Sequence, residues 1–139
     1  MKILLALDPF GHSPKALEEA LRLTKLQSAE LIIMAVAETF HDTENSFIGL
    51  KDGPEKLVSI VQQKAKDAES LALKEGVTPK IILEKGEAPA AAIIRCAREE
   101  KVDLIVIGHR ERHGLDVFVL GSVAMKVVNN TSCSVLIAR

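Results

Sequence analysis

The residues best suited to chemistry lie between Gly108 and Ser122. Gly108 closes an apolar run, Gly121-Ser122 opens a proline-free stretch from Val123 to Val128, and between them lie His109, Arg110, Arg112, His113 and Gly114. The first turn of a helix leaves its backbone N–H groups unpaired, and its dipole favours negative charge. Glycine lets the backbone approach a ligand without a Cβ in the way, and at a strand end it lets the chain turn sharply. The combination suits a phosphate-bearing ligand held by the loop and the helix start. Against it stands a plainer alternative: two glycines are a weak signal and also serve as turn and helix-entry residues, with the basic loop a solvated surface.

Other chemistries find less support. His12, His41, His109 and His113 lie in loops without companion ligands at metal-binding spacing. Ser13 and Ser122 read as helix caps rather than nucleophiles, because no G-x-S-x-G turn is present and no histidine has a context that would pair with either. Cys96 and Cys133 lack C-x-x-C spacing and read as small buried residues in a reducing compartment.

Composition narrows the class. A chain of 139 residues that is 47% hydrophobic has material for one domain, residues 1–139, with a real core. A net charge of -1 disfavours a general nucleic-acid binder, and the absence of Trp and Tyr removes the usual base-stacking platforms. The apolar run Ile3 to Leu7 is too short for an export signal or a membrane span, so the expected location is cytoplasmic, with no membrane partner. The Asn129-Asn130-Thr131 sequon then carries no meaning.

The elements that must position the loop alternate strand and helix. Ile3 to Leu7 is a fully apolar strand; Ser13-Pro14 reads as a cap and first-turn proline, and Leu17, Ala20, Leu21 and Thr24 follow at helical spacing, with Glu18 and Arg22 as an i, i+4 pair. Leu31 to Ala37 is a second strand. Glu38 to Gly53 is a long acidic and polar loop, the length of loop that is usually functional or mobile. Gly53-Pro54 starts an amphipathic helix marked by Leu57, Ile60, Val61, Lys64, Ala68, Leu71 and Ala72 and stopped by Gly76. Lys80 to Leu83, flanked by charge, suits an edge strand; Pro89 opens a helix reaching Lys101; Asp103 to Ile107 and Ser134 to Ala138 are the last strands. Five apolar strands joined by helical crossovers predict a doubly wound α/β fold with a parallel sheet and helices on both faces. With order 3-2-1-4-5 the reversal falls between the first and fourth strands, which brings Asp8 beside Gly108.

At this point the chain resembles the universal stress protein family over essentially its whole length. The resemblance rests on the apolar strand, Asp, Ser and Ala-Leu-rich helix of Ile3 to Leu23, the Gly86/Pro89 turn, and the Leu-Gly-Ser-Val, helix, Cys, Val-Leu-Ile tail of Leu120 to Ile137. It implies a Rossmann-like, adenine nucleotide alpha hydrolase-like fold and a stress-response module that binds ATP or another adenine nucleotide, with Mg2+. It also implies roles: Asp8 near the ribose or metal-phosphate group, the backbones of Val36 and Ile107 against adenine, and Gly108, Arg110, Gly121, Ser122 and Val123 around phosphate and ribose. A homodimer through Val135 to Ala138 is implied as well, and the bare edge of that last strand is its physical counterpart.

The chain departs from the family's pattern of Gly, two residues, Gly, nine residues, Gly, Ser or Thr at one place: Glu111 stands at the second glycine. Micromolar binding is worth about 8 kcal/mol, and a carboxylate roughly 4 Å from a phosphate oxygen opposes it by about 1 kcal/mol in water or about 4 near a protein surface. His109, Arg110, Arg112, His113 or a bridging cation would compensate. The alternative expectation is a nucleotide-free interaction dimer in which Glu111 disables the loop.

Overall fold

The computed structural model describes residues 1–8, 14–37, 53–108 and 120–139. Its strands are β1 (Lys2–Leu7), β2 (Glu30–Ala37), β3 (Lys80–Lys85), β4 (Leu104–Gly108) and β5 (Ser134–Ala138). Its helices are α1 (Lys15–Gln27), α2 (Gly53–Lys74), α3 (Pro89–Glu99) and α4 (Ser122–Asn130). All strand pairings are parallel and the order is β3-β2-β1-β4-β5, as the sequence predicts.

Alternation along the strands divides the core between two faces. Leu4, Ala6, Ile32, Met34, Val36, Ile105 and Ile107 pack with α3 and α4, whereas Ile3, Leu5, Leu31, Ile33 and Val106 pack with α1 and α2. Strands covered on both faces need side chains that are apolar without interruption, which is how β1, β2 and β4 read. The helices answer bulk with small residues: Ala16 and Ala20 of α1, Ala65, Ala68 and Ala72 of α2, and Ala90, Ala92 and Ala97 of α3 are all buried. Small faces let a helix lie close on branched strand side chains at interior density.

The α2 stripe is Leu57, Val61, Ala65, Ala68 and Ala72, while Leu71 is 49% exposed. Leu71 therefore lies outside the face on which its apolar character had placed it. The expected Glu18–Arg22 pair is also replaced, because the Arg22 guanidinium bonds Glu19 one residue nearer, at 2.7 Å. Such an exposed pair contributes little stability either way.

Three helices end in the same way. Ala29 N–H bonds Thr24 C=O at 3.0 Å, Val77 N–H bonds Ala72 C=O at 2.9 Å, and Val102 N–H bonds Ala97 C=O at 2.9 Å. In each the preceding residue is left-handed: Ser28 (φ 48°), Gly76 (φ 81°) and Lys101 (φ 56°). These six-to-one closures satisfy the final carbonyls and tuck Ala29, Val77 and Val102 against the core before the next strand. At the amino edge of the sheet, Lys2 N–H bonds the Asp103 carboxylate at 2.8 Å and Asp103 N–H bonds Lys2 C=O at 2.9 Å, fastening β1 to β4.

Two of the three left-handed residues carry a Cβ, which is strained there. Ser28→Gly and Lys101→Gly are each expected to stabilise the protein by about 0.5–1 kcal/mol, a rise of roughly 2–5 °C in melting temperature. A fall on thermal denaturation would contradict the cap assignment. The buried Thr24 hydroxyl has no hydrogen-bond partner among the described residues. Thr24→Val, which keeps the shape and removes the orphan group, is expected to stabilise by about 1 kcal/mol in denaturant titration.

Candidate functional site

The carboxyl edge of the sheet is where the chain reverses direction across the strands. β1 feeds α1 on one face, and β4 leads through residues 109–119 to α4 on the other. Between those diverging connections lies the crevice that open parallel sheets use for ligands. Strand register sets its floor. Ala6 pairs with Ile107 and Leu7 with Ala35, the last pairings of β1 at this edge. Asp8 follows the last residue of β1 and is half-buried.

Val36 and Ile107 are 5% and 7% exposed, with side chains in the core shared by α3 and α4. Only their backbones are available to the crevice. Gly108 is the final residue of β4 and pairs with Ala138, so this glycine is still part of the strand.

Because α4 runs from the carboxyl edge back to the start of β5, its N-terminus lies at the crevice. Gly121 is the N-cap (φ -62°, ψ 159°), no side chain among the described residues caps the helix, and Ser122 is its first residue, exposed. Ser122 is thus not the capping hydroxyl read from the sequence. The first bond of the helix is Met125 N–H to Gly121 C=O at 2.9 Å. α1 and α3 likewise lack a side-chain cap, but Pro14 and Pro89 remove a donor from each of those starts. α4 has no proline and keeps its full set of first-turn amides, beside the partly buried Leu120 and Val123. A Cβ built on Gly121 meets nothing within 4 Å among the described residues. Among the described residues, then, nothing packs against Gly121 closely enough to demand glycine there.

Arg110, together with His109, Glu111, Arg112, His113 and Gly114, lies outside the described residues, as do Ser13 and the loop from Glu38 through Asp52. One feature of the carboxyl edge escapes the sequence reading. Arg95 of α3 holds three carboxylates, Glu84 at 3.3 Å, Glu87 at 2.8 Å and Glu99 at 3.4 Å. Hydrogen bonds to Glu87 first and Glu84 second hold its guanidinium charged well beyond the ordinary arginine range. Its residues come from a strand end, a turn and a helix, and only the fold brings them together.

The remaining sites carry less. A recess of about 620 Å³ lies at the opposite, amino end of the strands, and its lysines are already paired: Lys2 with Glu30, Lys25 with Glu75, Lys80 with Glu100. Cys96 is buried, and burial pushes its thiol up, away from reactivity. Cys133 is only half-buried rather than buried, 3.2 Å from the Thr131 hydroxyl; both cysteines are unbridged. Among the described residues no group of three His, Cys, Asp or Glu is placed to hold a metal ion, and no helix is long and apolar enough to cross a membrane.

The model of the Universal stress protein family matches residues 1–139. The chain belongs to the universal stress protein family. It is 37% identical to the universal stress protein YxiE of Bacillus subtilis, over 99% of this chain and 98% of the relative. Among solved structures it superposes on a universal stress protein from Archaeoglobus fulgidus with a TM-score of 0.78 at 23% identity, covering 100% of this chain and 98% of the other. A universal stress protein solved in complex with cAMP is 25% identical with a TM-score of 0.67, covering 100% and 97%. These solved relatives superpose on the five-stranded parallel sheet described above.

Proposed function

We propose that this universal stress protein is a cytoplasmic stress-response module, a single domain over residues 1–139, that binds an adenine nucleotide (ATP, ADP or AMP, with Mg2+) at the carboxyl edge of its sheet. The observation that carries the reading is the α4 start: a proline-free helix with a glycine N-cap and, among the described residues, neither a side-chain cap nor an atom within 4 Å of a Cβ built on Gly121, next to the reversal of strand order. Donors already aimed at an anion need no rearrangement to bind it. The universal stress protein that is 25% identical and was solved with cAMP supports the ligand class.

In this reading Gly121 and Ser122 offer amides to the phosphates, Val123 borders the ribose, and Gly108 and Arg110 complete the phosphate loop. The backbones of Val36 and Ile107 meet the base. Asp8 serves the ribose or the metal-phosphate group. Binding, rather than turnover, is the activity proposed.

Thermal denaturation with millimolar ATP, ADP or AMP and magnesium is expected to raise the melting temperature, since a ligand at a hundred times its Kd stabilises by about 2.7 kcal/mol. Gly121→Ala should weaken nucleotide binding by roughly tenfold or more by placing a methyl where backbone meets phosphate, yet cost the unliganded fold no more than about 1 kcal/mol. No shift with any nucleotide would reject the reading. Glu111 in place of the family's glycine favours one other reading, a nucleotide-free interaction dimer; binding by Glu111→Gly but not by the parent would decide for it.

We also propose a homodimer through β5. This strand is an edge, and Val135, Leu136 and Ile137 are only half-buried in the single chain. An open edge of apolar strand is commonly covered by a second copy. Light scattering at micromolar concentration is expected to give twice the chain mass, and a monomer mass would reject the pairing.

A further inference from the structure

The register of the sheet places one more side chain at the level of Val36. Val36 pairs with Glu84 of β3, so the two form a row across neighbouring strands at the carboxyl edge, one residue beyond the Ala35 pairing of Leu7. Adjacent members of such a row are about 4.8 Å apart. Ile82, two residues before Glu84, packs on the α3 and α4 side of the sheet, and Arg95 of α3 reaches Glu84 on that side. Glu84 therefore shares its face with Val36, the residue whose backbone the nucleotide reading sets against the base.

Its chemistry is specific. An ionised carboxylate only accepts hydrogen bonds, and has about four lone-pair positions, of which one guanidinium contact uses a part. The Glu84 side chain is 33% exposed and Arg95 holds it at 3.3 Å, while Glu87 and Glu99 hold Arg95 in turn. A side chain so tethered has little freedom left to lose when it meets a ligand. The outward edge of adenine carries an exocyclic amino group, a donor; the outward edge of hypoxanthine carries a carbonyl oxygen at the same position.

We propose that Glu84 is a specificity-determining residue that accepts a hydrogen bond from the exocyclic amino group of the base, with Arg95 as its positioning residue. The inference rests on the nucleotide reading above and deepens it. A base with an oxo group at that position brings a lone pair against a carboxylate, and a fixed acceptor with no donor to meet is what makes polar sites discriminate strongly.

The test compares ATP and ITP, which differ at this position of the base, by titration calorimetry with magnesium on the full chain. The parent is expected to favour ATP by about tenfold or more. Glu84→Gln, whose amide both donates and accepts, should bring the ratio to within about threefold. Glu75→Gln removes the same charge at the opposite, amino end of the sheet, where Glu75 pairs with Lys25, and should leave the parent's ratio intact. An unchanged ratio in Glu84→Gln, or an equal collapse in Glu75→Gln, overturns the assignment while leaving nucleotide binding in place. Failure of the parent to bind either nucleotide overturns the nucleotide reading itself. Should Glu84→Gln melt early, Glu84→Asp, which shortens the acceptor and keeps its charge, carries the same comparison and the same outcomes.

Discussion

The parallel pairing of β1 with β2 on one side and β4 on the other is the constraint on which the rest of the structure depends. Ile3, Leu4 and Leu5 are fully buried, so β1 has no solvent face and no free edge. A strand in that position forces its two neighbours to be reached by crossovers of opposite sense, because right-handed connections place α1 on one face and those around β4 on the other. The divergence sets a switch point at the carboxyl edge, the place where open parallel sheets bind ligands. That switch point is a consequence of chain topology.

The two edges of the sheet are finished differently. At the amino edge, three helix ends are closed by their own backbone through left-handed residues, and Lys2 and Asp103 tie the central strands. Lysines there are matched by glutamates. At the carboxyl edge, α4 begins at a glycine with no side-chain cap among the described residues, and Glu84 stands level with Val36, held by Arg95.

Much of the architecture was legible because its signals are local and redundant. β1, β2 and β4 are unbroken apolar runs, as burial on both faces requires, and Gly76 and Pro89 mark helix boundaries by conformations that other residues resist. Legibility failed where two local choices were nearly equal in energy. Arg22 has Glu18 and Glu19 within reach, and exposed pairs differ by too little for spacing to choose. Ser28 and Lys101 adopt the left-handed region without glycine, because closing a helix and burying the next residue outweighs a modest steric cost. Leu71 points outward because the α2 stripe follows Ala65, Ala68 and Ala72, whose small size lets the helix approach the sheet.

The amino-acid sequence alone determined the alternation of strand and helix, the doubly wound class and the helix start that follows Gly121, since each depends on periodicity and composition within single segments. The strand order was expected from the class rather than from any one segment. Only the tertiary structure decided which residues share a level at the carboxyl edge. Glu84 and Val36 are neighbours because β2 and β3 are in register, and Arg95 gathers Glu84, Glu87 and Glu99 because α3 packs against that register. Register is a property of strand pairs: a slip of one residue would send each of these side chains to the opposite face. It is settled by packing across the whole sheet, and no stretch of chain read by itself contains it.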